Sequence, residues 1–370
     1  MDILIDYRPA LRQRTGVGEY VHGLASALAA RLQGEDSITL FSSSWKDRLG
    51  RDAVPGTRQI DARIPVRLLN FAWHRLEWPP IEWVARPFQV VHSLHPLLIP
   101  SRAAARVVTI HDLYFLDNPE QTAAEIRRDY AALAGEHARR AEGVVVNSEH
   151  TRQQVSDRFG IAKDRITVCY PGRPGWARRP DPPALGPILF IGTAEPRKNL
   201  ARLSEAYASL VQRRGDVPDL VIAGTVPEAG GETLFGERLP SDVKARVKLT
   251  GYVTDQERQH LYREASMLVL PSLAEGFGIT ALEAMTVGVP VVASNRGALP
   301  EVVGDAGILV DPESVPELSS ALDRVLCDAG LRRSMSERGF QRASQFSWSD
   351  SAGRLYDAYR AAAHRRRSGT

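Results

Sequence analysis

Two glutamates separated by a glycine-rich stretch are the residues of this chain best suited to chemistry. Pro271–Met285 reads PSLAEGFGITALEAM, with Glu275 ahead of the glycines and Glu283 eight residues later. An apolar run ending at Leu270 precedes the stretch, and helical periodicity resumes at Ile279, so Glu275 is expected in a loop and Glu283 on a helix. On one continuous helix they would stand about 12 Å apart. Paired glycosidase carboxylates sit about 5–9.5 Å apart, so the spacing favours two separate hydrogen-bonding tasks along an extended ligand. Backbone N–H groups at Gly276, Phe277 and Gly278 are placed to grip oxygens while Glu275 orients hydroxyls.

A second cluster is Gly192–Asn199, GTAEPRKN, where Arg197 and Lys198 adjoin at a strand-to-helix junction. A forked guanidinium and a compact ammonium beside helix N–H groups suit a diphosphate. A third is Arg14–Tyr20, RTGVGEY, whose Gly16 and Gly18 permit close approach of backbone to an anion. A third glycine three residues after Gly18 is missing, so this is not a dinucleotide fingerprint. Val107–Leu113, VVTIHDL, ends an apolar strand in His111 and Asp112, and the next strand ends in Asn147-Ser148. Carboxyl ends of parallel strands are where such proteins carry functional groups, although Ser148 equally suits a helix N-cap. No P-loop, GxSxG, HExxH, CxxC or EF-hand loop occurs, and Cys169 and Cys327 are isolated.

These residues need a scaffold of alternating strands and helices. Strands are expected at Asp2–Asp6, Ser37–Phe41, Gln89–His92, Arg106–Ile110 and Gly143–Val146. Helices are expected at Gly18–Leu32, Ala123–Ala141 and Glu149–Phe159. Pro171–Pro187, with six prolines in 17 residues, interrupts the pattern and reads as a linker. A second series follows, with strands at Ile188–Ile191, Leu220–Ala223, Val247–Leu249, Met267–Leu270, Pro290–Ala293 and Gly307–Val310. Its helices are expected at Leu200–Arg213, Asp255–Ala265 and Ile279–Val287. The pattern implies two doubly wound parallel α/β domains, with a ligand in the cleft between them.

The chain's 370 residues carry 43% hydrophobic and 25% charged side chains, ordinary for a folded soluble protein. No run approaches the roughly 20 apolar residues of a membrane span. The net charge of +3 is too small to imply nucleic acid. The N-terminus, MDILIDYRP, lacks a basic signal-peptide start, so a cytoplasmic location is expected. Phe71–Trp83, FAWHRLEWPPIEW, holds three of the six tryptophans together with arginine. That composition suits peripheral contact with lipid headgroups, or a buried aromatic cluster.

Taken together these motifs resemble the retaining nucleotide-sugar glycosyltransferases of family 4, which have the GT-B fold. Glu275–Glu283 matches their E-x7-E motif, and TGVGEY, IHD, GTAEPRKNL, GYV at Gly251–Val253, VPVVASNRGALPEVVGDAGILVDP and FSW at Phe346–Trp348 resemble further blocks of the family. One departure is Thr280, where proline is frequent. The resemblance implies two Rossmann-like domains facing across a cleft. An acceptor-side domain would cover 1–180, rejoined by a helix at about 350–370, and a nucleotide-sugar domain 181–349. It implies that Glu275 contacts sugar hydroxyls and Glu283 the ribose, and that Arg197 and Lys198 neutralise the diphosphate. His111 would lie at the sugar. Gly16, Gly18, Gly192, Gly276, Phe277, Gly278 and Ile279 would line the donor, Tyr252 and Val253 its base. Ser148 and Asp112 would face the acceptor.

The expected reaction is transfer of a hexose, mannose first, from GDP-mannose or a UDP-hexose to a glycan or lipid-linked acceptor with retained configuration. Alternatives are a sugar-nucleotide epimerase of the same architecture and a non-catalytic sugar-nucleotide-binding subunit. No D-x-D motif is present; Asp255-x-Glu257 and Asp311-x-Glu313 are the nearest patterns, and both suit caps or solvated surface. No metal and no other cofactor are therefore expected, since hard cations need converging oxygen ligands.

Overall fold

The computed structural model describes residues 1–369 apart from 12–13, 15, 33, 35, 51, 123–125, 181–182, 184 and 227–238. The chain forms two compact units, Met1–Gly172 with Ser347–Thr370, and Arg173–Phe346.

The first unit is built on seven strands: β1 (Asp2–Asp6), β2 (Ser37–Ser42), β3 (Arg58–Asp61), β4 (Val90–Ser93), β5 (Ala105–Ile110), β6 (Gly143–Val146) and β7 (Ile166–Val168). They lie in the order β3-β2-β1-β4-β5-β6-β7, and every pairing is parallel. Register follows the apolar runs, with Ile3 opposite Ile38 and Val90. Both faces are covered, which is why Ile3–Ile5 of β1 and the whole of GVVV are apolar and buried. One layer packs Leu4, Phe41, Leu69, Trp73 and Val91, and another Ile110, Val146, Val155 and Phe159.

The helix Trp348–Ser368 completes this unit. The hydroxyl of its Tyr359 meets Nδ1 of buried His92 at 2.6 Å, and the Tyr20 hydroxyl donates to the Cys169 carbonyl at 3.0 Å. Gly23 and Gly172 accept the Trp348 side chain so closely that a Cβ on either would overlap it.

The second unit has six strands: β8 (Ile188–Ile191), β9 (Leu220–Ala223), β10 (Val247–Gly251), β11 (Met267–Leu270), β12 (Val291–Ser294) and β13 (Ile308–Val310). Their order is β10-β9-β8-β11-β12-β13, again all parallel. Helices Leu200–Arg213, Asp255–Glu264, Ile279–Val287 and Val315–Cys327 belong to this unit. The last of these packs against Leu200–Arg213.

Several boundaries differ from those read in the sequence. The first helix runs Gly16–Arg31, so Gly16 and Gly18 lie in its first turn rather than in a loop. The helix expected over 123–141 divides into a π-helical turn, Ile126–Tyr130, and Ala131–Arg140; residues 123–125 lie outside the described residues. Strands β3 and β7 were not foreseen. The first is a half-buried edge strand, RQID, and the second has three residues, so neither shows a full apolar run. Part of the proline-rich stretch is not a free linker: Arg179 is buried and donates to the carbonyls of Tyr262, Arg263 and Ala265 at 3.2, 3.0 and 2.6 Å. Among the described residues no helix is long and apolar enough to cross a membrane.

Candidate functional site

In the second sheet the direction of strand addition reverses between β8 and β11. Ligands of open α/β sheets bind beyond the carboxyl ends of strands at such a point. The turn after β8 carries Arg197 and Lys198, and the loop after β11 carries Glu275. The two segments are bonded directly, the Leu273 N–H donating to the Arg197 carbonyl at 2.8 Å. Asn199, left-handed at φ +59° and buried, reinforces the junction: its side-chain amide donates to the carbonyls of Pro271 and Pro312 at 3.1 and 2.7 Å.

Lys198 Nζ donates to Glu275 Oε1 at 2.5 Å, Ser272 Oγ donates to the same oxygen at 2.8 Å, and Arg197 Nη1 reaches Oε2 at 3.4 Å. Arg197 also bonds Glu195 through Nε at 2.8 Å and the Ala274 carbonyl at 3.3 Å. The Glu275 side chain is only 9% exposed. Burial alone would raise its carboxyl, but Lys198 and Arg197 outweigh that cost and hold it below the ordinary carboxylate range. Motifs that stand about 77 residues apart in sequence thus form one charged cluster.

The backbone behind Glu275 is equally fixed. The Ala298 N–H donates to the Glu275 carbonyl at 3.0 Å. Gly297, at φ +63°, lies so near that a Cβ would sit 2.8–2.9 Å from the Glu275 backbone, so only glycine permits this approach. Gly278, at φ +100°, turns the loop into the helix Ile279–Val287. Gly276 and Phe277 are buried, and the Phe277 ring meets Phe346 edge-on at 5.5 Å, so its side chain belongs to the core. Ile279 is half-buried at the helix start.

Glu283 belongs to a different network. Its helix is buried from Ala281 to Val287. Its carboxylate accepts from the Tyr262 hydroxyl at 2.9 Å and lies 3.4 Å from Arg258 Nη2. Burial, with Glu283 beside it, pushes the Tyr262 phenol well above its usual range, so it remains a donor. Gly192 donates its N–H to Ala223 at the ends of β8 and β9. Tyr252 is exposed and Val253 half-buried just after β10.

In the first unit His111 follows β5, its ring edge-on to Tyr20 at 5.2 Å and its Nε2 3.2 Å from the Leu94 carbonyl. That contact requires a proton on Nε2. Burial lowers its pKa, which leaves it neutral at pH 7. Asp112 caps the next turn, accepting from the Tyr114 N–H at 3.1 Å. Ser148 is wholly buried and caps the helix Glu149–Phe159 through the Thr151 N–H at 3.0 Å, so an acceptor contact through its side chain does not fit. Gly18 is a packing glycine, since a Cβ there would lie 2.9 Å from the Pro9 carbonyl, whereas Gly16 is exposed.

Sequence reading missed Ser272, Asn199, Trp176, Arg258 and Tyr262. Only the last pair carried a signal, the i, i+4 spacing that puts both on one helix face. Among the described residues no three His, Cys, Asp or Glu side chains gather as a metal ion would require.

This architecture is the GT-B fold. It aligns with sucrose-phosphate synthase from Thermosynechococcus elongatus at a TM-score of 0.76 and 21% identity, covering 97% of this chain and 98% of that one. It aligns with WaaG, a glycosyltransferase involved in lipopolysaccharide biosynthesis, at a TM-score of 0.72 and 18% identity, covering 96% and 99%. In sequence, residues 185–342 match the family described as glycosyl transferases group 1, and residues 14–174 match glycosyltransferase family 4. The chain belongs to this glycosyltransferase family. It is 29% identical to O-antigen chain mannosyltransferase B of Escherichia coli over 97% of its own length and 100% of that protein.

Proposed function

We propose that this glycosyltransferase moves a hexose, mannose first, from a nucleotide-diphosphate sugar to a glycan or lipid-linked acceptor of a surface polysaccharide, with retained anomeric configuration and without a metal ion. The observation that carries the reading is the convergence of Lys198 and Arg197 on the buried Glu275 carboxylate. A sugar diphosphate brings negative charge to the two cations and hydroxyl donors to the carboxylate, so one cluster meets both halves of the donor. The similarity to a mannosyltransferase supports mannose over the other hexoses.

In the proposed reaction the anomeric C–O bond breaks with its electron pair passing to the diphosphate. Lys198 and Arg197 stabilise that growing charge, an electrostatic contribution already oriented before reaction. Glu275 and the amides of Gly276–Gly278 hold the sugar hydroxyls as the ring becomes oxocarbenium-like. Glu283 accepts from the ribose hydroxyls, while Tyr252 and Val253 line the base. The acceptor oxygen attacks from the face the phosphate is leaving, and a phosphate oxygen takes the acceptor's proton. Neutral His111 fits a positioning role near the sugar better than that of a cation. A cytoplasmic setting with lipid headgroups nearby is part of the proposal. Trp78 and Trp83 are exposed on the first unit with Arg102 over the Trp83 ring, while Trp73 is buried in the core.

The test is a turnover screen with GDP-mannose and UDP-hexoses, followed by NMR assignment of the product anomer. Transfer from an α-linked donor to an α-linked product supports the reading. An inverted product overturns retention. Epimerised donor in the absence of acceptor points instead to an epimerase, and tight donor binding without transfer to any acceptor points to a non-catalytic subunit.

A further inference from the structure

We infer that Trp176, Arg258 and Tyr262 form a positioning chain that holds Glu283 for the ribose of the donor; this rests on the assignment of Glu283 proposed above. A carboxylate on a helix buried along most of its length keeps its charge and direction only if partners supply them. Tyr262 and Arg258, which meet the Glu283 carboxylate, both come from the helix Asp255–Glu264, one turn apart. That helix is anchored at each end. At its start Thr254 and Glu257 form a capping box, immediately after Tyr252 and Val253. At its end Arg179 binds the carbonyls of Tyr262, Arg263 and Ala265, and at 3.4 Å that of Gly288, the C-cap of the Glu283 helix. One guanidinium therefore ties the carboxyl ends of both helices together.

Trp176 lies three residues before Arg179. Its ring centroid is 5.4 Å from the Arg258 guanidinium carbon and 5.9 Å from the Tyr262 ring. Arg258 faces two carboxylates, with exposed Asp255 at 2.8 Å and buried Glu283 at 3.4 Å, both through Nη2. The exposed acid competes with the buried one for the same guanidinium nitrogen. Stacking against Trp176 limits that competition and keeps the guanidinium beside Glu283. The chain Trp176–Arg258–Glu283 thus sets ribose recognition from a tryptophan assigned no ligand contact.

The test compares binding of GDP and UDP with that of their 2′,3′-dideoxy forms by titration calorimetry. A hydroxyl bonded to a carboxylate contributes enough that wild type should prefer the ribonucleotide of its better base about tenfold. Trp176→Ala and Arg258→Leu should shrink that preference at least about threefold, with little loss of dideoxynucleotide affinity. Trp176→Phe, which keeps a ring, should restore most of it. Equal weakening of both ligand forms would make the three residues merely structural and overturn the inference. If Glu283→Gln removes the preference but Trp176→Ala and Arg258→Leu keep it, the chain is refuted while the ribose assignment stands. If wild type itself shows no preference, the assignment of Glu283 fails first. Should Arg258→Leu not fold, Trp176→Phe and Trp176→Ala carry the comparison alone.

Discussion

Removing the Lys198 ammonium is the sharpest perturbation of the proposed chemistry. Lys198 is 13% exposed and meets Glu275 at 2.5 Å, while Arg197 stands farther off at 3.4 Å and shares its guanidinium with Glu195. At an effective dielectric constant of about 20, unit charges near 3 Å interact by roughly 5 kcal/mol, and the cost of desolvation offsets much of that. In Lys198→Ala two effects follow. The Glu275 carboxyl loses its nearer cation, and the departing diphosphate loses one donor oriented toward it. Loss of such a donor costs about 3–4 kcal/mol in the transition state, a fall in kcat of roughly 10²–10³. Donor KM should move less than tenfold, since ground-state binding retains Arg197 and the nucleotide contacts.

The pH profile gives a second readout of the same change. In the wild type Glu275 titrates below the ordinary carboxylate range, so its ion pair contributes stability above that range and loses it as pH falls through the depressed value. In Lys198→Ala the Glu275 carboxyl rises, and the acid limb of kcat should move to higher pH. Lys198→Arg, which keeps the charge, should recover part of the rate and shift the limb back. Steady-state kinetics across pH with matched thermal melts make the measurement. Turnover within about threefold of wild type, or a loss confined to KM, would falsify the assignment of Lys198 to the leaving group.

Glu275→Gln should cut turnover far more than it weakens donor binding, because the carboxylate matters most as charge develops on the sugar; equal effects on kcat and Kd would count against that role. Transfer should survive excess EDTA with little loss. Activity abolished by chelation and restored by Mg²⁺ or Mn²⁺ would move the diphosphate site away from Arg197 and Lys198. Trp78→Ala and Trp83→Ala should reduce co-sedimentation with vesicles containing anionic lipid, and absence of binding in wild type as well ends the membrane reading.

Much of the scaffold was legible because parallel strands covered on both faces are short apolar runs. ILFI, MLVL and GVVV each coincide with β8, β11 and β6. The helices Glu149–Phe159, Leu200–Arg213 and Ile279–Val287 were legible from the turn and glycine signals beside them. The edge strand β3 was not, since RQID has one apolar residue in four and none of the four is fully buried. Glu275, Arg197 and Lys198 were legible individually as charged residues at strand ends. Their union was not, because it depends on β8 and β11 being neighbours, a fact of topology rather than of local spacing. Asn199 and Gly297 escaped notice for the same reason: their contacts lie on chain segments distant in sequence.

The seven residues between Glu275 and Glu283 acquire a physical meaning from these contacts. Gly278 ends a loop whose conformation is set by the turn after β8 and by the segment containing Gly297. Beyond it begins a helix whose lateral position is set by Asp255–Glu264. The two carboxylates are therefore neighbours in sequence that answer to different parts of the fold. One is charged and oriented by cations that suit a sugar diphosphate. The other is oriented by an arginine and a tyrosine that follow the segment proposed to line the base. At the observed spacing each carboxylate keeps its own partners, and under the proposed assignment this separation lets sugar and ribose be held by independent groups.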